Sequence, residues 1–211
     1  MVADADSSDH ALPRGARDLD TKLAAALERA GQALRTELRE RARRHGLPPT
    51  QAQVLLRLAH DPAERRRVAA LAAELDVTQA TLSDAVAALH RKRLVERRRD
   101  PADGRSRTLE LTGRGSAIAG DLDSWDERVR ARLAAFPEGD REGALRFLLE
   151  LIADLQAAGV ISVARTCVSC RFFRQRVHAG GAALHHCALL DLPLARSDLR
   201  VDCPEHQPAA A

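Results

Sequence analysis

Four cysteines, all between positions 167 and 203, are the residues of this 211-residue chain best suited to chemistry. Cys167-Val168-Ser169-Cys170 sets two thiols two residues apart, a spacing that grips one metal ion or one edge of a cluster. Cys187 follows after sixteen residues and Cys203 after a further fifteen, completing a tetrahedral or cluster-ligating set of four. Zinc ribbons usually bring their ligands as two close pairs, whereas Cys187 and Cys203 stand singly and Pro204 follows the last cysteine. That spacing leans towards an iron-sulfur cluster, with Zn2+ and unliganded or redox-switch thiols left open. His178, His185, His186 and His206 read as neighbours rather than ligands, although His185 or His186 could replace a thiolate. Phe172, Phe173, Leu189, Leu190 and Leu192 form the only sizeable apolar group here, too little core to fold unaided, so a metal would contribute to folding.

The same residues argue against catalysis. A zinc deaminase needs His-x-Glu with Pro-Cys-x-x-Cys, yet Thr166 precedes Cys167 and no histidine has a glutamate two residues on. A thioredoxin-like site would need a βαβ setting that a helix-rich chain does not offer. The expectation is a protein that is not an enzyme, with a Cys/His metalloenzyme the least favoured alternative.

A second concentration of chemistry is cationic. Nine basic residues against Glu96, Asp100, Asp103 and Glu110 give the stretch from His90 to Arg114 a local balance of +5, in a chain whose net charge is +3. Arg97, Arg98 and Arg99 precede a turn and Arg105 and Arg107 follow it, a density that displaces counterions from phosphates. An Arg run can also be a solvated face, so the elements that carry it decide its meaning.

With 45% hydrophobic but only 2% aromatic residues, the composition is that of helix. Leu19, Leu23, Leu27, Ala30, Leu34 and Leu38 line one face of a helix over 16–44, ended by Gly46 and Pro48-Pro49. Thr50 is the expected cap of a short helix with Val54, Leu55 and Leu58 inward, stopped at Asp61-Pro62. Val68, Leu71 and Leu75 mark a two-turn helix and Asp76-Val77 a break. Thr78 then caps a helix reaching about Arg91 with Leu82, Val86 and Leu89 inward. Residues 94–98 and 107–111 are the segments that read as strands, joined by Pro101-Ala102-Asp103-Gly104. From Thr112 a single helix carries Ile118, Leu122, Trp125, Val129 and Leu133 to Pro137. A last one carries Leu145, Leu148, Leu149, Ile152 and Leu155 to Gly159.

Two short helices followed by a hairpin read as a helix-turn-helix with a wing. The helix after Thr78 has the shape for the DNA major groove, with Gln79, Ala80, Thr81, Ser83, Asp84, Ala87 and Arg91 off its buried face. Gln79 suits bidentate pairing with adenine and Ser83 a base or phosphate. Asp84 would repel phosphate unless it accepts from a cytosine amine or pairs with an arginine. The hairpin arginines suit a minor-groove probe.

Leu94-Val95-Glu96-Arg97, then Asp100-Pro101-Ala102-Asp103-Gly104-Arg105-Ser106, then Leu111-Thr112-Gly113-Arg114-Gly115 resemble the MarR family of winged-helix repressors, a likeness that runs from about Leu19 to Leu155. The resemblance implies that Asp103 and Arg105 shape the wing and carry an arginine into the minor groove. It implies dimerisation through the first and last helices, binding as a homodimer to double-stranded DNA at a pseudo-palindromic operator, and a small-molecule effector held in the crevice between dimer helices and the DNA-binding lobe. Candidate DNA-binding residues are thus Thr78, Gln79, Thr81, Ser83, Asp84, Arg91, Arg97, Arg98, Arg99, Asp103, Arg105 and Arg107. The cysteine extension is not typical of that family; a cluster there would make the protein a sensor of oxygen, redox state or iron.

The expected fold is mainly α, a winged helix-turn-helix with a two-stranded β wing, long N- and C-terminal dimerisation helices and a small metal- or cluster-binding appendage. Its divisions are a disordered tail 1–15, a dimerisation helix 16–46, a DNA-binding domain 47–112, dimerisation helices 113–159, the appendage 160–206 and a tail 207–211. Met1 to His10 is acidic where a secretory signal would be basic and then apolar, so the expected location is the cytoplasm. A dimerisation adaptor that has lost DNA binding is the alternative function.

Overall fold

The computed structural model describes residues 18–99, 107–179 and 183–209. Asp18 accepts hydrogen bonds from the amide (3.2 Å) and hydroxyl (2.8 Å) of Thr21 and so caps α1 (Leu19–Arg43). Gly46, with φ of 63°, ends it as expected, because the Leu47 amide turns back to the Ala42 carbonyl at 3.1 Å. Of the predicted leucine stripe only Leu38 is buried within the chain; Leu19 is 66% and Leu23 38% exposed.

Helix α2 (Pro49–His60) departs from the expected start. Pro48 is its N-cap and makes no side-chain bond, and Pro49 takes the first helical position. A missing N–H costs nothing there and the ring fixes a helical φ, so Thr50 is left inside the first turn rather than capping it. A 3-10 turn (Ala63–Arg65) leads to α3 (Val68–Glu74). The chain then reverses at Asp76, whose φ of 48° is left-handed, and the Val77 amide donates to the Ala72 carbonyl at 3.0 Å. Thr78 caps α4 (Gln79–Arg91) by accepting from the Thr81 amide at 3.1 Å. Leu82, Val86 and Leu89 are fully buried beneath it, packed with Leu55, Leu58 and Leu71 in one core.

Strands β1 (Val95–Arg99) and β2 (Arg107–Leu111) pair antiparallel from Val95 opposite Leu111 to Arg99 opposite Arg107. Val95 and Leu109 face the core, and the Leu109 amide donates to the Arg66 carbonyl at 2.8 Å, which ties the hairpin to the segment before α3. Thr112 accepts from the Gly115 amide at 3.0 Å and starts α5 (Gly113–Leu122).

The single helix expected from Thr112 to Pro137 is broken in two. Arg41 Nε donates to the Asp121 carbonyl at 2.9 Å, and the Trp125 amide bonds Leu122 instead of Asp121. The ladder shifts to i+3 bonding and α6 (Glu127–Leu133) starts afresh. Helix α7 (Glu138–Ala157) ends at Gly159, φ 71°.

Beyond α7 lies a small lobe. A 3-10 turn (Cys167–Ser169) and a three-stranded antiparallel sheet, β3 (Phe173–Arg174), β4 (His185–Cys187) and β5 (Leu192–Leu194), precede a last 3-10 turn (Arg196–Asp198). Its core is Cys167 and Leu199 against Leu149 of α7, with Leu145 and Phe173 partly buried beside them. Among the described residues no helix is long and apolar enough to cross a membrane.

Candidate nucleic-acid interface

The N-terminal end of α4 is presented outward. Gln79, Ala80, Thr81 and Asp84 are exposed and Ser83 is half-buried. The Thr78 hydroxyl meets both the Thr81 amide (3.1 Å) and the Thr81 hydroxyl (2.9 Å), so these two candidate contacts form the cap itself. No acidic residue occupies the first turn, which leaves its free amides and the positive end of the helix dipole suited to a phosphate. Asp84 has no ion-pair partner among the described residues.

Strand register sorts the wing arginines. Side chains alternate between the faces of a hairpin, so Arg97, Arg99 and Arg107 share the face of Val95 and Leu109, while Arg98 points the other way. Arg98 is taken up there by carboxylates, at 2.9 Å from Glu110 and 3.9 Å from Glu96. Arg97 and Arg107, with His90, Arg91 and Ala87 of α4, line a cleft of about 460 Å3 between helix and wing. Among the described residues none of Arg91, Arg97, Arg99 and Arg107 pairs with a carboxylate. Asp103 and Arg105 lie outside the described residues.

Two residues of this region escape a reading by sequence. His90 joins the cleft, and its only signal was its place in the last turn beside Arg91. Lys92, one of the nine basic residues, is structural: its ammonium donates to the Gly46 carbonyl (2.9 Å) and Gln51 Oε1 (3.0 Å), pinning the end of α4 to the end of α1.

All four cysteines are free thiols and all lie in the small lobe. The Arg200 amide donates to Cys167 Sγ at 3.2 Å and the Arg200 guanidinium reaches Cys203 Sγ at 3.7 Å. Cys170 is one 3-10 turn from Cys167, and Cys187 sits across the sheet from Phe173. Burial pushes the Cys167 and Cys203 thiols above the usual thiol range. Among the described residues no three His, Cys, Asp or Glu side chains are gathered in a metal-holding group. The histidines have other partners: His206 Nε2 lies 3.0 Å from Ser169 Oγ, and His186 lies 3.2 Å from Asp191 and 3.3 Å from His178. His185 is buried against the Phe173 ring at 5.1 Å, and its Nδ1 accepts from the Arg176 amide at 3.4 Å.

Sequence spacing gives no hint of the network that joins this lobe to the helix-turn-helix. Arg165 binds Glu74 of α3 through one nitrogen and Asp202 at 2.8 Å through another. Asp202 also accepts from Arg57 of α2 at 2.8 Å and Arg65 at 3.3 Å. Arg65 donates further to the carbonyls of Cys203 (3.3 Å) and Pro204 (3.0 Å), and Asp76 in the turn accepts from the Ser162 amide at 2.8 Å.

A capped, outward-facing second helix, a tight left-handed turn before it and a cationic hairpin after it define a winged helix-turn-helix protein. Residues 45–106 match the sequence profile described as MarR family. The fold is similar to that of the transcriptional regulator PA3341, at 26% identity and a TM-score of 0.58 over 64% of this chain and 98% of that one. It is similar too to Staphylococcus aureus MepR in complex with DNA, with 20% identity, a TM-score of 0.55 and coverage of 63% and 97%. CouR from Rhodococcus jostii RHA1, bound to p-coumaroyl-CoA, gives 21% identity, a TM-score of 0.55 and coverage of 64% and 94%. No curated protein matches the chain. Residues 45–106 are thus similar to the MarR family, and the fold is similar to that of winged-helix transcriptional regulators.

Proposed function

We propose that this chain is a cytoplasmic, homodimeric repressor that seats α4 in the major groove of a pseudo-palindromic operator and the β1–β2 wing against the adjoining minor groove. The observation that carries the reading is the cleft between α4 and wing, where His90, Arg91, Arg97 and Arg107 converge and the arginines have no carboxylate among the described residues. Unpaired cations at that density suit phosphates on both sides of a groove. Gln79 stands at the helix end that would meet base edges, and Asp103 and Arg105 extend the wing in sequence. The MepR complex with DNA supports this use of the fold. Dimerisation is supported by the leucine stripe of α1, which the chain leaves uncovered, and by exposed Leu133, Phe136, Phe147 and Leu148 on and beside α6 and α7. The CouR complex supports a small-molecule effector.

Selection of duplexes from a random pool, followed by titration at several salt concentrations, tests the proposal. Gln79→Ala is expected to cost about 1–3 kcal/mol on the selected duplex and to relax its sequence preference. Arg97→Ala and Arg107→Ala are expected to weaken all duplexes alike and to lower the salt slope by about one each. Equal affinity for every duplex, unmoved by these changes, would turn the reading towards an adaptor that uses the winged fold only for protein assembly.

A further inference from the structure

One short loop serves two parts of the molecule. Asp202 is gripped by Arg57 (2.8 Å), Arg65 (3.3 Å) and Arg165 (2.8 Å), the first from α2 and the second from the turn that feeds α3. The next residue is Cys203, and the Arg65 guanidinium holds the carbonyls of both Cys203 and Pro204. The Cys203 amide donates in turn to the Arg165 carbonyl at 3.0 Å, and Cys167 follows Arg165 by two residues. Two cysteines are therefore fixed, through the backbone, to the arginines that hold the lobe on the helix-turn-helix.

The lobe itself is underbuilt. Strands of two and three residues, 3-10 turns and an apolar core of three buried side chains, one of them from α7, supply little burial to offset the entropy of ordering about forty residues. Small lobes of this kind are ordinarily closed by a metal or by disulfides, and its cysteines are all unpaired. The sulfurs of Cys167 and Cys203 already share Arg200 as a donor, through its amide and its guanidinium. Such donors stabilise sulfur that carries thiolate charge; at Cys203 the Glu205 carboxylate, 3.4 Å from Sγ and 3.2 Å from the Arg200 guanidinium, works against them. Cys170 closes the 3-10 turn that Cys167 begins, and Cys187 lies in β4 opposite Phe173, so the other two belong to the same small lobe.

We propose that Cys167, Cys170, Cys187 and Cys203 are the ligands of one thiophilic metal centre, Zn2+ or an iron-sulfur cluster, and that its occupancy is relayed to α2 and α3 by the Asp202-Cys203-Pro204 loop. Binding draws four sulfurs to a common centre and releases their protons to solvent, so metal uptake is an ordering step for the lobe. Ordering fixes Asp202, and Asp202 fixes the arginines beneath the helix-turn-helix. The regulatory meaning of the relay rests on the DNA-binding reading above; the site and the relay do not.

The test uses the full chain purified without oxygen. Zinc, iron and sulfide are measured first, together with the visible spectrum, and amide hydrogen exchange is then compared between loaded and chelator-stripped protein in the absence of DNA. One zinc per chain in a colourless sample, or iron with matching sulfide and absorption near ~400 nm, supports the site and names the metal. Cys203→Ser and Cys187→Ser are each expected to lower metal affinity by at least about tenfold. Exchange across residues 57–76 is expected to slow about tenfold on loading, and Asp202→Asn to retain metal while abolishing that slowing. Metal below about a tenth of an equivalent in the wild type overturns the site. Identical exchange with and without metal overturns the relay. Neither readout needs DNA, so a failure to bind any operator would count against the proposed function alone.

Discussion

Arg98 and Asp61 show how far a residue's type is from its role. Arg98 has the sequence credentials of a DNA contact, yet one register position turns it towards Glu110 and away from the cleft. Asp61 stood only for a helix stop, but its carboxyl is buried, with Arg57 at 3.7 Å and Oδ2 lacking a partner among the described residues. Burial raises its pKa above the ordinary carboxylate value, more than the Arg57 charge lowers it. The folded state therefore holds the proton more tightly than the unfolded one. The ionised group subtracts stability at neutral pH, and that penalty vanishes as pH falls below the unfolded carboxylate range. Asp61→Asn is expected to raise the thermal midpoint at pH 7 and to leave it unchanged near about pH 3. A variant less stable than wild type at pH 7 would mean that the bond to Arg57 outweighs desolvation.

Among the elements, the wing depends on how closely α5 can approach β1. A methyl group added at Gly115 would stand 2.0 Å from the Leu94 carbonyl oxygen, whereas one at Gly113 meets nothing within 4 Å. The contact is backbone to backbone and cannot relax by rotating a side chain. Gly115→Ala is expected to destabilise the protein by about 2–3 kcal/mol in urea melts, with Gly113→Ala close to wild type. Equal effects from the two would put the cost on helix propensity instead. The Thr112-Gly113-Arg114-Gly115 stretch was legible as a helix start, but the reason for its second glycine was not, since Leu94 is distant in sequence. The break between α5 and α6 escaped for the same reason. Leu122, Trp125 and Val129 keep helical spacing through it, and the cause is Arg41, eighty residues earlier, which binds the Asp121 carbonyl.

At the scale of the whole molecule, the single chain leaves the leucine face of α1 uncovered. Leu23, Leu27 and Leu34 are 38%, 37% and 36% exposed in a helix whose other end, at Leu38 and Ala42, is packed into the core. Fully burying a leucine side chain contributes about 1.5–3 kcal/mol, so covering the exposed third of each of these contributes roughly 0.5–1 kcal/mol apiece towards the cost of association. Leu23→Asp with Leu27→Asp is expected to halve the mass seen by sedimentation and, with the lobes no longer held one helical turn apart, to weaken operator binding. A wild type that sediments as a monomer, or a variant that still dimerises, would move the interface elsewhere.

The sequence by itself determined the order of the helices, the helix-turn-helix, the cationic hairpin and the separation of a cysteine-bearing lobe. These follow from local signals: apolar spacing of three and four residues, Thr78 and Thr112 as caps, Gly46 and Gly159 as stops, and β-type segments on either side of turn residues. Tertiary structure alone decided which arginines face the cleft, why Gly115 is glycine, where the long helix after the wing breaks, and that Arg57, Arg65, Glu74, Arg165 and Asp202 join the lobe to α2 and α3. Each of these rests on partners between twenty-one and one hundred and forty-five residues apart, or on the pairing register of two strands. Local periodicity carries no information about which distant backbone groups and charges the packed core will bring together.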